Sequence, residues 1–129
     1  DAFTGLQPAA PPLRTAYLIW RDPYMTAGAD TFIHAMMQQC GFINIFNDRQ
    51  RYPKTHPAEL QALDCELLLL SSEPYPFKEQ HIRELATVLP YTRIILADGE
   101  MFSWYGSRLL RAPGYFQQLI GSLAARHKR

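Results

Sequence analysis

Cysteine is scarce in this sequence, with only Cys40 and Cys65 among 129 residues. That scarcity excludes a disulfide-dense scaffold and a cysteine-based zinc site. The net charge of +1 gives no electrostatic reason to expect a nucleic-acid partner. No apolar run approaches the ~20 residues that a membrane-spanning helix needs. The seven glycines form no phosphate-binding loop, so nucleotide-binding motifs are also excluded.

The first twelve residues predict a linker, because Pro8, Pro11 and Pro12 are separated mainly by small residues. The rest of the chain, residues 13–129, has the length of one globular domain. The sequence does not begin with Met, and we therefore expect it to be a fragment of a longer protein.

Apolar runs of strand length alternate with segments of helical periodicity in this domain. Strands are predicted over residues 15–20, 67–71 and 93–97, with a short one over 44–46. Helices are predicted over residues 26–39, from Pro57, over 78–89 and over 107–125, the last with a break at Pro113–Gly114. Thr26 is the expected N-cap of the first helix and Gly41 suits its C-terminal end. This order predicts an α/β fold, a three-layer α/β/α sandwich around a mostly parallel sheet of about four strands.

Each cysteine falls at the end of a predicted element. Cys40 ends a helix and Cys65 begins a strand. A bond between them is conceivable, but isolated cysteines usually behave as small apolar side chains. We expect two free, buried thiols.

Residues with catalytic or metal-binding chemistry form no complete motif. The four histidines, His34, His56, His81 and His127, make no close pair with one another or with a cysteine, so no metal site is predicted. At two strand ends, Glu73 or Asp98 could act as a general base and Ser72 as a nucleophile. No histidine lies nearby in sequence and no elbow motif surrounds the serine. We therefore predict neither an enzyme nor a bound cofactor.

Aromatic residues are concentrated in or beside the loops that follow the predicted strands. In a parallel sheet those loops meet at one edge, where ligands bind. Such side chains either hold a broad flat ligand or form a second hydrophobic cluster beneath the loops. The residues concerned are Trp20, Tyr24, Tyr52, Tyr75, Phe77, Phe102, Trp104 and Tyr105.

Several segments, in their order and spacing, resemble the second lobe of class III periplasmic binding proteins, the receptors for cobalamin, heme and ferric siderophores. They are residues 17–33 (YLIWRDPYMTAGADTFI), 40–46 (CGFINIF), 52–60 (YPKTHPAEL), 64–77 (DCELLLLSSEPYPF) and 98–109 (DGEMFSWYGSRL). The resemblance implies a C-terminal lobe whose preceding lobe and connecting helix are missing from this chain. It further implies a metal chelate, cobalamin above all, bound between two lobes and delivered to the permease of an ABC importer. The expected location is the periplasm, free or lipid-anchored.

The resemblance also assigns roles to individual residues. The ligand contacts that it implies, together with the aromatic pattern, are Trp20, Tyr24, Tyr52, Glu73, Tyr75, Phe102 and Trp104. The loop before Pro57 is about one residue longer than in the family, so Arg51 could take the place of Tyr52. Glu59 matches the family's acidic permease-docking residue and is expected to be exposed. The alternative is a self-contained flavodoxin-like enzyme or regulatory domain.

Overall fold

A computed structural model describes residues 9, 11–103 and 112–127 of the chain. Ten helices and strands are present in this part, and we number each kind in chain order. The strands are β1 (Arg14–Leu18), β2 (Tyr24–Met25), β3 (Ile43–Asn44), β4 (Lys54–Thr55), β5 (Leu67–Ser71) and β6 (Arg93–Ala97). The helices are α1 (Phe32–Gln39), α2 (Pro57–Ala62), α3 (Glu79–Ala86) and α4 (Ala112–His127). None of the described helices is long and apolar enough to span a membrane.

The main sheet contains four strands in the order β3-β1-β5-β6, and all neighbouring strands are parallel. β5 lies in the centre, where every one of its side chains is buried, because layers cover both of its faces. Its continuous leucine run is therefore a strand, as predicted. A parallel sheet of four strands with flanking helices confirms the predicted fold class.

Alternation along the central strands divides the core into two clusters. Tyr17, Leu67 and Leu69 pack with residues of α1 and α4 on one face. Ala16 and Leu68 pack with residues of α2 and α3 on the other face. Successive strand residues point to opposite faces, so adjacent leucines of β5 contribute to different layers.

The N-terminus of α1 differs from the prediction. Thr31, and not Thr26, caps the helix, with its hydroxyl accepting a hydrogen bond from the His34 amide. Residues 26–30 instead run beside residues 49–53, held partly by the bond from the Thr26 amide to the Pro53 carbonyl. Before them, β2 pairs with β4 in a small antiparallel sheet that the sequence did not predict. Because residues 26–30 are bonded to the backbone of residues 49–53, the helix begins only after Thr31.

One further boundary differs from the prediction. The short strand after α1 is Ile43–Asn44 and not residues 44–46. The break predicted at Pro113–Gly114 falls at the edge of the described part: residues 107–111 of the predicted helix lie outside it, and α4 is described from Ala112 onward. Pro113 is the second residue of that helix, and a proline is tolerated in the first turn, where its missing N–H has no intrahelical acceptor.

Gly41 ends α1 as predicted. Its φ of 78° lies in the left-handed region that favours glycine. The Gly41 amide donates to the Gln38 carbonyl and the Phe42 amide donates to the Met37 carbonyl. This is a Schellman motif, which satisfies the last carbonyls of the helix.

Both cysteines are free and buried, which confirms the expectation for this pair. Cys40 belongs to the core cluster beneath α1 and α4, whereas Cys65 belongs to the cluster beneath α2 and α3. The sheet therefore separates the two thiols. Burial raises the pKa of each thiol to about 12, so neither is a ready nucleophile at neutral pH.

Candidate functional site

A cavity of about 470 Å³ opens at the carboxyl edge of the sheet. The segments that follow β1, β5 and β6 all contribute to it, as expected for a parallel sheet. The start of α1 adds Phe32 and Ile33 to its wall, and Tyr52 comes from the loop before β4. Its remaining lining residues are Tyr17, Ile19, Ser71, Glu73, Pro74, Gly99, Phe102 and Ser103. Apolar side chains with a few polar groups are typical of ligand sites.

The polar groups at the base of the cavity are already bonded to one another. The buried Tyr17 hydroxyl lies 3.0 Å from Ser71 Oγ, and Ser71 Oγ donates to the Glu73 carbonyl at 2.6 Å. Burial raises the pKa of Tyr17, so its phenol stays neutral. These groups hold the loop after β5 in place and leave the base of the cavity uncharged.

Gly99 allows the loops after β5 and β6 to approach closely. A Cβ at this position would lie 2.6 Å from both Ser71 Oγ and the Glu73 Cγ. The Gly99 amide donates to Ser72 Oγ at 2.9 Å, which joins the same two loops. The cavity edge is thus built from packed loops with little space for a side chain between them.

Three of the predicted ligand residues line this cavity. Tyr52 stands at its rim and is 46% exposed, whereas its neighbour Arg51, the alternative considered above, is not among the lining residues. Glu73 is also exposed, and no described residue pairs with its carboxylate. Together these two side chains give the cavity a phenol and a carboxylate beside an apolar wall.

Phe102 is the third predicted ligand residue that lines the cavity, and it lies in the core and not in an exposed loop. Its ring is fully buried, with ring centroids 4.8 Å from those of Tyr17 and Phe116. The segment after β6 turns back over the sheet, so this ring enters the core beneath α4. Phe102 therefore forms part of the cavity wall and is at the same time a core residue.

The other predicted aromatic contacts that the structure describes lie on the opposite side of the sheet edge. Trp20 meets Tyr75 in a T-shaped contact with centroids 5.6 Å apart, and Tyr75 packs on Phe77 and His81. Tyr24 lies with this group against the α2/α3 cluster. The predicted contacts are thus divided into two groups, and Trp104 lies outside the described residues.

Strand alternation explains both this division and the lining residues that the sequence analysis missed. Ile19 lies two residues after Tyr17 and packs with the α1/α4 cluster, whereas Trp20 lies over the other face. Ile19 lies in the strand predicted over residues 15–20, and Phe32 and Ile33 lie in the helix predicted over 26–39, so none of them was expected at the site. Their position beside the carboxyl edge was the signal that could have identified them.

Arg21 ties the Trp20 loop to α3. Its guanidinium contacts Glu84 at 2.8 Å and Asp22 at 3.0 Å. Tyr24 Oη lies 3.4 Å from the same Glu84 oxygen. The Arg21 hydrogen bond lowers the pKa of Glu84, so this carboxylate stays charged at neutral pH.

Glu59 lies in the first turn of α2, as predicted, but it is not the exposed carboxylate that was expected. Its side chain is 23% exposed. Arg49 contacts one oxygen at 2.5 Å, and Thr55 donates a hydrogen bond to the other. These contacts, first of all that with Arg49, lower the pKa of Glu59 below its usual range. The loop before β4 folds back over α2, which brings Arg49 to this carboxylate.

No group of three or more His, Cys, Asp or Glu side chains within the described part of the chain is arranged to hold a metal ion. Among the described residues that line the cavity, Glu73 is the single carboxylate. The other described lining residues offer mainly apolar surface and hydroxyl groups.

Comparison with known proteins decides the fold family. BhuT, a periplasmic heme-binding protein solved with two hemes, superposes with a TM-score of 0.73 at 23% identity, over 95% of this chain. The chain has the fold of one lobe of a periplasmic binding protein. A possible iron-binding periplasmic protein of Staphylococcus epidermidis matches the lobe with a TM-score of 0.71 at 16% identity, again over 95% of the chain. The vitamin B12-binding protein BtuF of Vibrio cholerae matches with a TM-score of 0.64 at 15% identity over 92% of it.

The lobe spans about half the length of these structures, namely 49% of BhuT, 49% of the S. epidermidis protein and 46% of BtuF. All three are binding proteins. Comparisons of the sequence with family models and with curated proteins give no match. The similarity between this chain and these proteins therefore lies in the three-dimensional fold.

Proposed function

We propose that this chain is the C-terminal lobe of a periplasmic substrate-binding protein, free or lipid-anchored, that passes a metal chelate to an ABC importer. The ligand that we propose is cobalamin or a related corrinoid, with heme or a ferric siderophore as the next candidates. The lobe would bind its ligand without catalysing a reaction. The observation that carries this proposal is the 470 Å³ cavity with Tyr52, Glu73 and Phe102 at the edge of a binding-protein fold.

A flat macrocycle fits the chemistry of this edge. Its face would lie on the apolar wall, and its polar substituents would meet Tyr52 and Glu73. Trp20, Tyr24 and Tyr75 would extend the contact surface beyond the cavity, and Trp104 is a further proposed ligand contact. The preceding lobe would close the other side, so the ligand would be enclosed only in the full-length protein.

We expect cobalamin to quench tryptophan fluorescence when it is titrated into the full-length protein. Tyr52→Ala should weaken its binding by about 10-fold, or 1.4 kcal/mol, because it removes an aromatic side chain at the cavity rim. Tyr91→Ala is the matched control, since Tyr91 is 92% exposed and lies outside this cavity. Heme and a ferric siderophore form the parallel titrations. Absence of binding to all three ligands would reject this class of function.

We also propose that the permease docks on the surface around Glu59. Because Arg49 and Thr55 already contact its carboxylate, an incoming cation would share that carboxylate or displace Arg49. In reconstituted vesicles at saturating ligand, Glu59→Gln should lower uptake by several-fold, since such charges guide encounter and register. Glu79→Gln changes the same residue type in the first turn of α3 and should leave uptake unaltered. Equal uptake by the wild-type protein and both variants would argue against docking at the surface around Glu59.

A further inference from the structure

The segment that carries Tyr52 is joined by hydrogen bonds to residues 26–30. The Ala29 amide donates to the Arg49 carbonyl at 2.8 Å, and the Gly28 amide donates to the Arg51 carbonyl at 2.8 Å. The Arg51 amide donates in turn to the Asp30 carboxylate. Tyr52 therefore stands on a backbone that is fixed on both sides of it.

Side chains add a further link between this segment and α2. Arg49 provides the link, because its guanidinium lies over the Phe46 ring at 5.1 Å and bonds to Glu59. Phe46 is fully buried and Glu59 belongs to α2, so both contacts attach the segment to the body of the domain. Thr55 holds the second Glu59 oxygen and thereby fixes the orientation of the carboxylate.

We infer that the Arg49–Glu59 ion pair is the positioning element for Tyr52 at the cavity rim. Breaking the pair removes the link from Arg49 to α2, so the bonds to residues 26–30 open more often and Tyr52 is held less firmly beside the cavity. The inference deepens the proposed function, because the placement of Tyr52 affects binding only if the cavity holds a ligand. Its first consequence, the order of the segment, is independent of any ligand.

Gly28 offers a second way to disturb the same segment. A Cβ at Gly28 would lie 2.5 Å from the Arg49 carbonyl oxygen and 2.9 Å from the Gln50 carbonyl carbon. These are backbone atoms, which cannot rotate away as a side chain can. Gly28→Ala should therefore displace residues 49–53 while the charges of Arg49 and Glu59 are unchanged.

Hydrogen exchange on the full-length protein without ligand tests the order of the segment. In Glu59→Gln, the Gly28 and Ala29 amides should exchange about 10-fold faster, because their acceptors are no longer held in place. Amides of β5 should keep their wild-type rates, which shows that global stability is preserved. Arg49→Gln also removes the contact with Phe46 and should accelerate exchange at least as much, and the double variant should exchange no faster than Arg49→Gln, since both substitutions remove the same ion pair. Unchanged exchange at Gly28 and Ala29 in Glu59→Gln would overturn the inference.

Cobalamin titration then tests whether the ordering acts through Tyr52. Glu59→Gln and Gly28→Ala should each weaken binding by about 5-fold in the wild-type background and by less than about 2-fold in the Tyr52→Ala background. Equal losses in both backgrounds would show that Tyr52 is not the residue being positioned. Failure of the wild-type protein to bind cobalamin, heme or a siderophore would reject the proposed function alone, and the exchange result would then decide the inference.

Discussion

Phe102→Ala should destabilise the fold by about 3–5 kcal/mol, the range found when a buried phenylalanine is truncated. Its ring is fully buried and contacts Tyr17 and Phe116 at the junction of the cavity wall and the core. The substitution would remove those contacts and join the resulting void to the cavity. Urea unfolding followed by circular dichroism measures the change in the free energy of unfolding.

Two substitutions control this measurement. Phe102→Leu retains most of the volume and should cost about 1 kcal/mol. Tyr91→Ala should change stability by no more than about 0.5 kcal/mol, because that ring is almost completely exposed. A loss below 1 kcal/mol in Phe102→Ala would contradict the position of this ring in the core.

Leu68→Ala should cost about 2–5 kcal/mol, because the leucine is fully buried in the central strand. Its side chain packs in the α2/α3 cluster, so the substitution opens a void on that face only. The free energy of unfolding is again the quantity to measure. The expected loss arises from lost apolar burial together with the cavity left behind.

Leu96→Ala is the matched control in the same sheet. Leu96 lies in β6 and is 38% exposed, so its truncation should cost about 1 kcal/mol or less. Similar losses for the two leucines would contradict the difference in burial between Leu68 and Leu96.

The identity of β5 could be predicted from the sequence because burial on both faces leaves a simple pattern. The four leucines of β5 form an apolar run of strand length, and β6 was predicted with its observed bounds. A hydrophobic pattern could not identify Thr31, and not Thr26, as the N-cap of α1. The position of the N-cap depends on residues 49–53, which are distant in sequence and pair with residues 26–30.

The candidate site was predictable in its location but not in its composition. Strand order places three loops at one edge, and the cavity is found there. Which aromatic residues share that cavity depends on alternation at the last strand residues, where Ile19 and Trp20 go to different faces. The pairing of Glu59 depends on how the loop with Arg49 folds over α2, which helical spacing alone cannot reveal.

Because the sheet separates Cys40 from Cys65, each thiol can report independently on the opening of one helical layer. Each thiol is shielded by a different helical layer, and the raised pKa of both suppresses reaction in the closed state. A thiol reagent must therefore wait for an opening of the layer that covers its target. The labelling rate of Cys40 measures how often the α1/α4 layer beside the cavity opens. The labelling rate of Cys65 measures how often the α2/α3 layer on the other face of the sheet opens.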